Sequence, residues 1–425
     1  MKRSGVCAAR RIGPVAAALL AASTALGGPA GDPKAPWPQF HGPNRDNISP
    51  DKGLLKQWPA GGPKLLWRFP DCGGGFATIT SADGLLFTTG DFQDRQKLLA
   101  LDPNGKCLWQ AENGRSWKGA YPGARAVPTY RDGVVYHLNS TGRLAAFQAP
   151  TGKEVWAVDL KAEYAAEFGQ WAMAENVILD GNAVLVAPGG RKGRIVALDK
   201  ATGKCLWANT EIAEVAEYAS PIVVVHDGVR QAITVMQKSI ISVDVPTGKL
   251  LWAHGHPTKH DQNVNMVIYR DGVVYASSGH GTGARALKIA PGSKGVTQLW
   301  LSGDLDNCHG GVLMVDGSLY GSGCRLTEKG LLCVSAADGK TMWHDKSLAK
   351  VSLTYADGLV YGLTDTGRMY LLEVSPKQCR VVSQFDPPKG QGQWLAHPVV
   401  IGGRMYLRHG GELFCYDLRA EGGGR

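Results

Sequence analysis

A tryptophan recurring at near-constant spacing constrains this chain more than any other feature. Seven segments end in an aliphatic-rich pair and Trp: KLLW at Trp67, NGKCLW at Trp109, TGKEVW at Trp156, TGKCLW at Trp207, TGKLLW at Trp252, GVTQLW at Trp300 and DGKTMW at Trp343. A degenerate eighth copy, CRVVSQF, ends at Phe385, and successive spacings are 42, 47, 51, 45, 48, 43 and 42 residues. Seven of the 12 tryptophans thus occupy one repeat position. A period of this length signals stacked supersecondary units, each burying its apolar face against the next. The repeat tryptophans are therefore expected to pack between units rather than to hold a ligand.

A second marker alternates with the first. It reads ADGLLF (82–87), RDGVVY (131–136), LDGNAVLV (179–186), HDGVRQAITV (226–235), RDGVVY (270–275), VDGSLY (315–320), ADGLVY (356–361) and IGGRMY (401–406). Each is a strand end, a turn in which Gly can take positive φ, and a new strand rich in β-branched and aromatic residues. The 56 glycines fit a chain of many hairpins. Each repeat holds four short strands: one before the Asp-Gly turn, one after it, one like LLALD (98–102), and one carrying the Trp. In ALDKATGK (197–204), Asp199 can accept from backbone amides two residues on, and Gly203 can turn left-handed.

The last repeat ends at ELFCYDL (412–418) with no Trp strand after it, while PKLLWRF (63–69) has no repeat of its own before it. Joining them completes one unit and removes the open edges. The expected fold is all-β: an eight-bladed β-propeller of four-stranded antiparallel blades, closed by an N-terminal strand in the last blade. Residues 1–27 are read as a signal peptide, 28–62 as an irregular arm laid over the disc, 63–418 as the propeller and 419–425 as a disordered tail.

The turn-and-Trp unit resembles the pyrroloquinoline quinone (PQQ) repeat, A-x-D-x-x-T-G-x-x-x-W. Ala197, Asp199, Thr202, Gly203 and Trp207 match every position, and Ala100, Asp102, Gly105 and Trp109 match with Asn104 for Thr. The G-H and W-D pairs of WD40 blades and the paired glycines of kelch blades do not recur. The resemblance runs from about Lys64 to Leu418 and implies a fold rather than an activity.

The leader carries Lys2, Arg3, Arg10 and Arg11 ahead of an apolar stretch, Ile12–Leu26, that is too short to span a bilayer. Ala25 and Gly27 suit cleavage near Gly27–Gly28, and Cys7 precedes the apolar stretch rather than following it as a lipid anchor requires. A soluble periplasmic or secreted protein is expected, without a transmembrane segment or lipid anchor. Loss of the four leader charges takes the formal +9 to +5. A mild excess with no basic run argues against nucleic acid.

Loops from each Trp to the next Asp-Gly turn lead into the strands that line a propeller's channel, and those after Trp109, Trp156, Trp207 and Trp252 are the longest. Rigid scaffolds concentrate binding residues on such loops. The candidates are Trp117, Tyr121, Arg125, Gln170, Trp171, Glu217, Tyr218, His260, Asn263, Asn265, Asp306, His309, Trp394 and His397. Aromatics mixed with amides and charges suit a small planar or sugar-like ligand, while the same groups could instead cap loop backbone. His254, His256 and His260 invite a metal, but no further ligand is identifiable, so they are read as solvated loop histidines and no metal is assigned. No catalytic residues are assigned either: nucleophilic triads and phosphate loops are absent, and GHGTGAR (279–285) lacks the following helix that would cradle phosphate.

Eight cysteines follow the leader, none of them adjacent to another. GSGCRLTEKGLLCVS (321–335) reads as a hairpin in which pairing Leu326 with Leu331 sets Cys324 opposite Cys333. A disulfide there is feasible, and a one-residue slip would separate the two thiols.

PQQ-repeat propellers include the accessory lipoprotein of the outer-membrane β-barrel assembly machinery, which this chain resembles in blade number and length. That resemblance implies a monomeric ring, non-catalytic, binding a protein partner or a small ligand on its long-loop face. They also include PQQ-dependent alcohol and sugar dehydrogenases. These hold PQQ over a Trp, under a disulfide between adjacent cysteines, with calcium bound by Glu, Asn and Asp. The missing adjacent cysteines favour the binding propeller.

Overall fold

The computed structural model describes residues 36–420, apart from 261 and 325–329. The expected signal peptide, the first part of the arm and most of the tail lie outside the described residues. Eight sheets form the ring, each with one four-stranded antiparallel blade. Blade 1 runs Thr80–Ala82, Leu85–Phe92, Arg95–Leu101 and Cys107–Arg115, and blades 2 to 7 repeat that order. In blade 8, Val399–Ile401, Arg404–His409 and Glu412–Asp417 are completed by Leu65–Phe69 from the other end of the chain. Arg68 clamps this closure through a bidentate pair to Glu412 at 2.7 and 2.6 Å.

Most blades turn from their first to their second strand at Asp-Gly. Asp83, Asp132, Asp227, Asp271, Asp316 and Asp357 all have φ between 46° and 52°, and each is followed by a glycine of positive φ. Two successive left-handed residues make a type I′ turn, whose twist matches that of the flanking strands. The turn before the outer strand of blade 3 also follows the sequence expectation. Asp199 Oδ1 accepts from Ala201 N at 3.1 Å and Thr202 N at 2.9 Å, and Gly203 has φ +72°.

The repeat tryptophans join neighbouring blades through that second turn. The indole N–H of Trp67, Trp109, Trp156, Trp207, Trp300 and Trp343 donates to Pro103, Ala149, Lys200, Val245, Ala336 and Ser375 carbonyls at 2.8–3.0 Å. Each acceptor lies in the next blade's turn. Trp252 instead donates to Gln231 at 3.1 Å, and Gln231 reaches Ser293 of the next blade at 2.7 Å. The ring itself lies on the turn glycine. A Cβ on Gly105, Gly152, Gly203, Gly248 or Gly339 would come within 2.3–2.7 Å of the preceding blade's indole. At the closure Gly62 does the same for Phe385, at 2.4 Å. Because strand side chains alternate, the residue before the Trp faces water, and Leu108, Val155, Leu206, Leu299 and Met342 are all exposed.

The arm does more than lie over the disc. Trp37 bridges Ser81, Pro38 O accepts from Tyr130 N, and Ile48–Ser49 pairs in parallel with Tyr355–Ala356. All three contacts fall on innermost strands at the end nearest the Asp-Gly turns. Between them, residues 39–47 run into the channel and bury Arg45 and Asn47.

One sequence expectation is corrected. Tyr320, not Cys324, lies opposite Cys333, because Ser318–Ser322 pairs with Leu331–Ser335 from Ser322↔Leu331 onward. Residues 325–329, with most of the expected loop at 327–330, lie outside the described residues, but the paired strand already stops at Ser322, so Cys324 leaves the blade.

Two outcomes follow from this packing. Gly228 and Gly248 share one blade and nearly one φ, +77° and +75°, but only Gly248 lies under an indole. Gly228→Ala should cost about 1 kcal/mol for the left-handed backbone. Gly248→Ala should cost a further ~1–3 kcal/mol for overpacking. Urea unfolding of both variants measures the difference, and equal losses would contradict the docking. Removal of residues 63–69 should replace one cooperative thermal transition by a broad, lower one, checked by calorimetry.

Candidate functional site

The segments leading into the innermost strands converge on a cavity of about 770 Å³. The arm supplies its base, so the channel forms a cup. Phe40, His41, Arg45 and Asp46 come from the arm, while His280, Cys324 and Asp365 come from turns between second and third strands.

Arg45 ties the arm to the ring. Its guanidinium donates to Asn176 O at 3.2 Å, Pro221 O at 2.8 Å and Val177 O at 2.5 Å, and Nε donates to Gln39 Oε1 at 3.0 Å. Burial pulls its pKa down to about 9, leaving it charged at neutral pH. Burial pushes nearby Glu175 up to about 8, so that carboxyl is mostly protonated at pH 7.

Of the five imidazoles that line the cup, His41, His309 and His397 are the strongly desolvated ones. His41 Nε2 lies 3.2 Å from His397 Nδ1, and Phe40 stacks on His41 with centroids 3.9 Å apart. Burial lowers His397 and His309 to about 4 and holds His41 well below its ordinary value, so all three are neutral at pH 7. His309 Nε2 is buried without a hydrogen-bond partner.

On the opposite wall, Arg125 donates to Gly123 O at 2.6 Å and Tyr121 O at 2.5 Å, with its guanidinium 5.8 Å from the Phe76 ring centre. Burial lowers Arg125 to about 10. Trp171 meets Tyr218 edge to face at 5.7 Å, and His260 meets His280 at 4.7 Å. Arg45, Arg125 and Lys350 bring positive charge to the lining against the carboxylates of Asp46 and Asp365.

Of the sequence candidates, Tyr121, Arg125, Gln170, Trp171, Tyr218, His260, Asn265, His309 and His397 line the cup. Glu217 lines an adjoining hollow with Gln170, Trp171 and Tyr218. Four others stand behind the surface. Trp117 donates to Ala120 O at 3.0 Å, and Asn263 donates to Met236 O at 2.9 Å. Asp306 accepts from Gly281 N at 2.7 Å and so holds the turn that carries His280. Trp394 stacks on His409 at 4.0 Å.

The His254, His256 and His260 group is split. His254 sits on an outer strand against Gln298, His256 is buried against Ser278 at 2.9 Å, and only His260 reaches the cup. Sequence reasoning missed Phe40, His41, Arg45, His280, Cys308, Cys324 and Lys350. The available signal was an arm carrying His41, Arg45 and Asn47 beside glycine and proline. All three prove to have positive φ, which such residues seldom adopt without tertiary support.

A calcium-held quinone does not fit these donors. Asp46 and Asp365 are the carboxylates in the lining among the described residues, and Asp46 already accepts from Ile48 N at 3.1 Å. Among the described residues, no three His, Cys, Asp or Glu side chains are placed to hold a metal ion.

The family model of outer membrane protein assembly factor BamB matches residues 59–166 and 94–345. The chain belongs to the BamB family. Curated relatives divide between two kinds of protein. BamB of Nitrosomonas eutropha is 27% identical over 37% of this chain and 35% of its own length. The dehydrogenase subunit of the quinone-type alcohol dehydrogenase of Acetobacter aceti is 32% identical over 31% of this chain and 19% of its own length. This BamB-family chain covers 12–35% of the length of the curated relatives it matches. Among solved structures, BamB from Moraxella catarrhalis has a TM-score of 0.60 at 15% identity, covering 84% of this chain and 98% of that one. Quinohemoprotein alcohol dehydrogenase from Comamonas testosteroni has a TM-score of 0.63 at 14% identity, covering 92% of this chain and 81% of that one. Identities this low show a shared fold. No helix among the described residues is long and apolar enough to cross a membrane.

The buried imidazoles predict a pH dependence with a definite sign. His309 and His397 titrate at about 4 when folded and about 6.5 when unfolded, so the unfolded chain binds more protons between those values. Their stabilising contribution is complete above about pH 6.5 and is lost as pH falls toward about 4, by about 1 kcal/mol per pH unit each. His397→Gln should flatten this slope by about one proton, read from urea midpoints between about pH 7.5 and 4.5. An unchanged slope would contradict a buried neutral His397.

Proposed function

We propose that this chain is an exported, soluble, non-catalytic binding propeller that receives a small planar anion, or a group of that kind on a partner, in the cup of its long-loop face. The observation that carries this reading is the cup itself. It is closed by the chain's own arm, carries aromatic rings, and sets three cations against two carboxylates in its lining. Pockets of this size, apolar in bulk with a few fixed polar groups, are built for binding. The neutral imidazoles add hydrogen-bonding capacity without adding charge, and the membership in the BamB family agrees with a scaffold role. The ring is proposed to act as a monomer.

The second reading, a PQQ-dependent alcohol or sugar dehydrogenase, is favoured by the quinoprotein relatives. Against it stand the donor set of the cup and the lack of adjacent cysteines.

PQQ, a planar tricarboxylate, separates the two readings. Titrated without calcium, it should quench tryptophan fluorescence saturably, with no dye reduction on adding calcium and alcohols or aldoses. Trp171→Ala and Arg125→Gln should each raise Kd about tenfold, the loss of roughly 1.4 kcal/mol of stacking or charge-assisted contact. Turnover with alcohol would establish the dehydrogenase, and absence of saturable binding would remove the small-anion cup.

A further inference from the structure

Two thiols share one wall of the cup although 16 positions separate them in the chain, at 308 and 324. Cys308 lies on the segment leading into Val312–Val315, and Cys324 lies just beyond Ser318–Ser322 of the same blade. Both pack on the bare Cα of Gly279 from the neighbouring blade. A Cβ built there would lie 2.6 Å from Cys308 Cβ and 2.8 and 3.0 Å from Cys324 Sγ and Cβ. The two cysteine Cβ atoms are therefore no further apart than those contacts together allow. A disulfide needs Cβ atoms about 3.5–4.5 Å apart, a separation within that bound, and rotation about χ1 then brings the two sulfurs together.

The surroundings are those of reactive thiols. Lys350 Nζ lies 3.6 Å from Cys308 Sγ, His309 Nδ1 lies 3.3 Å from the same sulfur, and His280 lies 3.9 Å from Cys324 Sγ. The Cys308 thiol, hydrogen-bonded to Cys324, lowers Cys324 to about 7, and Lys350 adds to the effect. The same hydrogen bond drives Cys308 up. Other cysteines differ: burial raises Cys72 to about 11 and Cys415 to about 12, and neither lines the cup.

We infer that Cys308 and Cys324 form a dithiol that exchanges with small-molecule disulfides entering the cup. The Cys324 thiolate attacks one sulfur of the incoming disulfide, the S–S bond breaks, and the other sulfur leaves as a thiolate. The Cys308 thiol gives its proton to that leaving thiolate, and its sulfur then attacks Cys324 Sγ in the mixed disulfide. The second thiolate leaves and takes up the proton that Cys324 had lost. The dithiol is oxidised by two electrons to the Cys308–Cys324 disulfide, and the small disulfide is reduced to two thiols. This chemistry does not depend on the planar anion proposed above.

The test uses the full chain and oxidised glutathione, with cysteine states read by alkylation and peptide mass spectrometry. The expected product is a Cys308–Cys324 disulfide, with Cys72, Cys333 and Cys415 still reduced. Cys308→Ser should stop the reaction at a glutathionyl group on Cys324. A pulse of iodoacetamide at pH 7 should label wild-type Cys324 about tenfold faster than the exposed Cys205, because the Cys308 thiol and Lys350 favour the Cys324 thiolate. Lys350→Met should move the pH midpoint of that labelling upward, whereas the exposed Lys346→Met should leave it unchanged. If glutathione leaves the pair reduced, or if Cys324 labels no faster than Cys205 from about pH 6 to 9, the inference is overturned. Both decisive readouts use the wild-type chain, so a poorly folding variant does not blunt them. The alkylation readout is independent of the PQQ fluorescence titration, and either can fail with the other intact, so this inference and the binding reading fail separately.

Discussion

Five of the eight blades in this ring hold their neighbour through an indole laid on a glycine. The Trp ring covers the left-handed glycine of the next turn, and in most blades its N–H satisfies a carbonyl of that same turn. Each partner requires the other: a side chain on the glycine would occupy the ring's place, and a smaller residue than Trp would leave a void and an unpaired carbonyl. The contact repeats around the circle, so stability adds up as nearest-neighbour terms, as in other repeat architectures. The degenerate copy obeys the same rule, since Phe385 covers Gly62 where the two chain ends meet. The closure is thus one more instance of the common contact, with the Arg68–Glu412 pair added across it.

A rigid ring leaves a channel, and the arm turns that channel into a cup. Its hold is mainly backbone hydrogen bonding to strand ends that would otherwise be unpaired, at Ser81, Tyr130 and Tyr355. Arg45 then carries a charge inside the ring, stabilised by carbonyls of two adjacent blades rather than by a carboxylate. Burying a guanidinium is costly unless its donors are satisfied, and here four acceptors surround it. The base of the cup therefore depends on the ring being formed first.

Desolvation sets the chemistry of the cup. It keeps His41, His309 and His397 neutral and Glu175 mostly protonated. Arg45 remains charged, and Lys350 stands beside the thiols. The result is an interior with positive charge and flat rings, suited to recognition. The sulfur pair on the blade 6 wall adds a nucleophilic feature to it.

The sequence by itself determined the all-β class, the number of blades, the closure by an N-terminal strand and the packing role of the tryptophans. Those properties come from contacts that recur at a fixed period, so each copy reports on all the others. The direction of the long loops was legible for the same reason, and it led to Arg125, Trp171, Tyr218 and His397 at the cup. Only the tertiary structure decided which loop residues face the cup and which, like Asn263 and Asp306, spend their hydrogen bonds behind it. It also decided the fate of Cys324, because the hairpin's pairing ends at Ser322 and the thiol swings toward Cys308. The arm residues His41 and Arg45 could not be placed at the cup from the sequence. They belong to no repeat, and their partners at His397, Asn176 and Pro221 lie more than a hundred residues away in the chain. Periodic contacts can be counted from the sequence, whereas contacts made once, across the ring, exist only after it has closed.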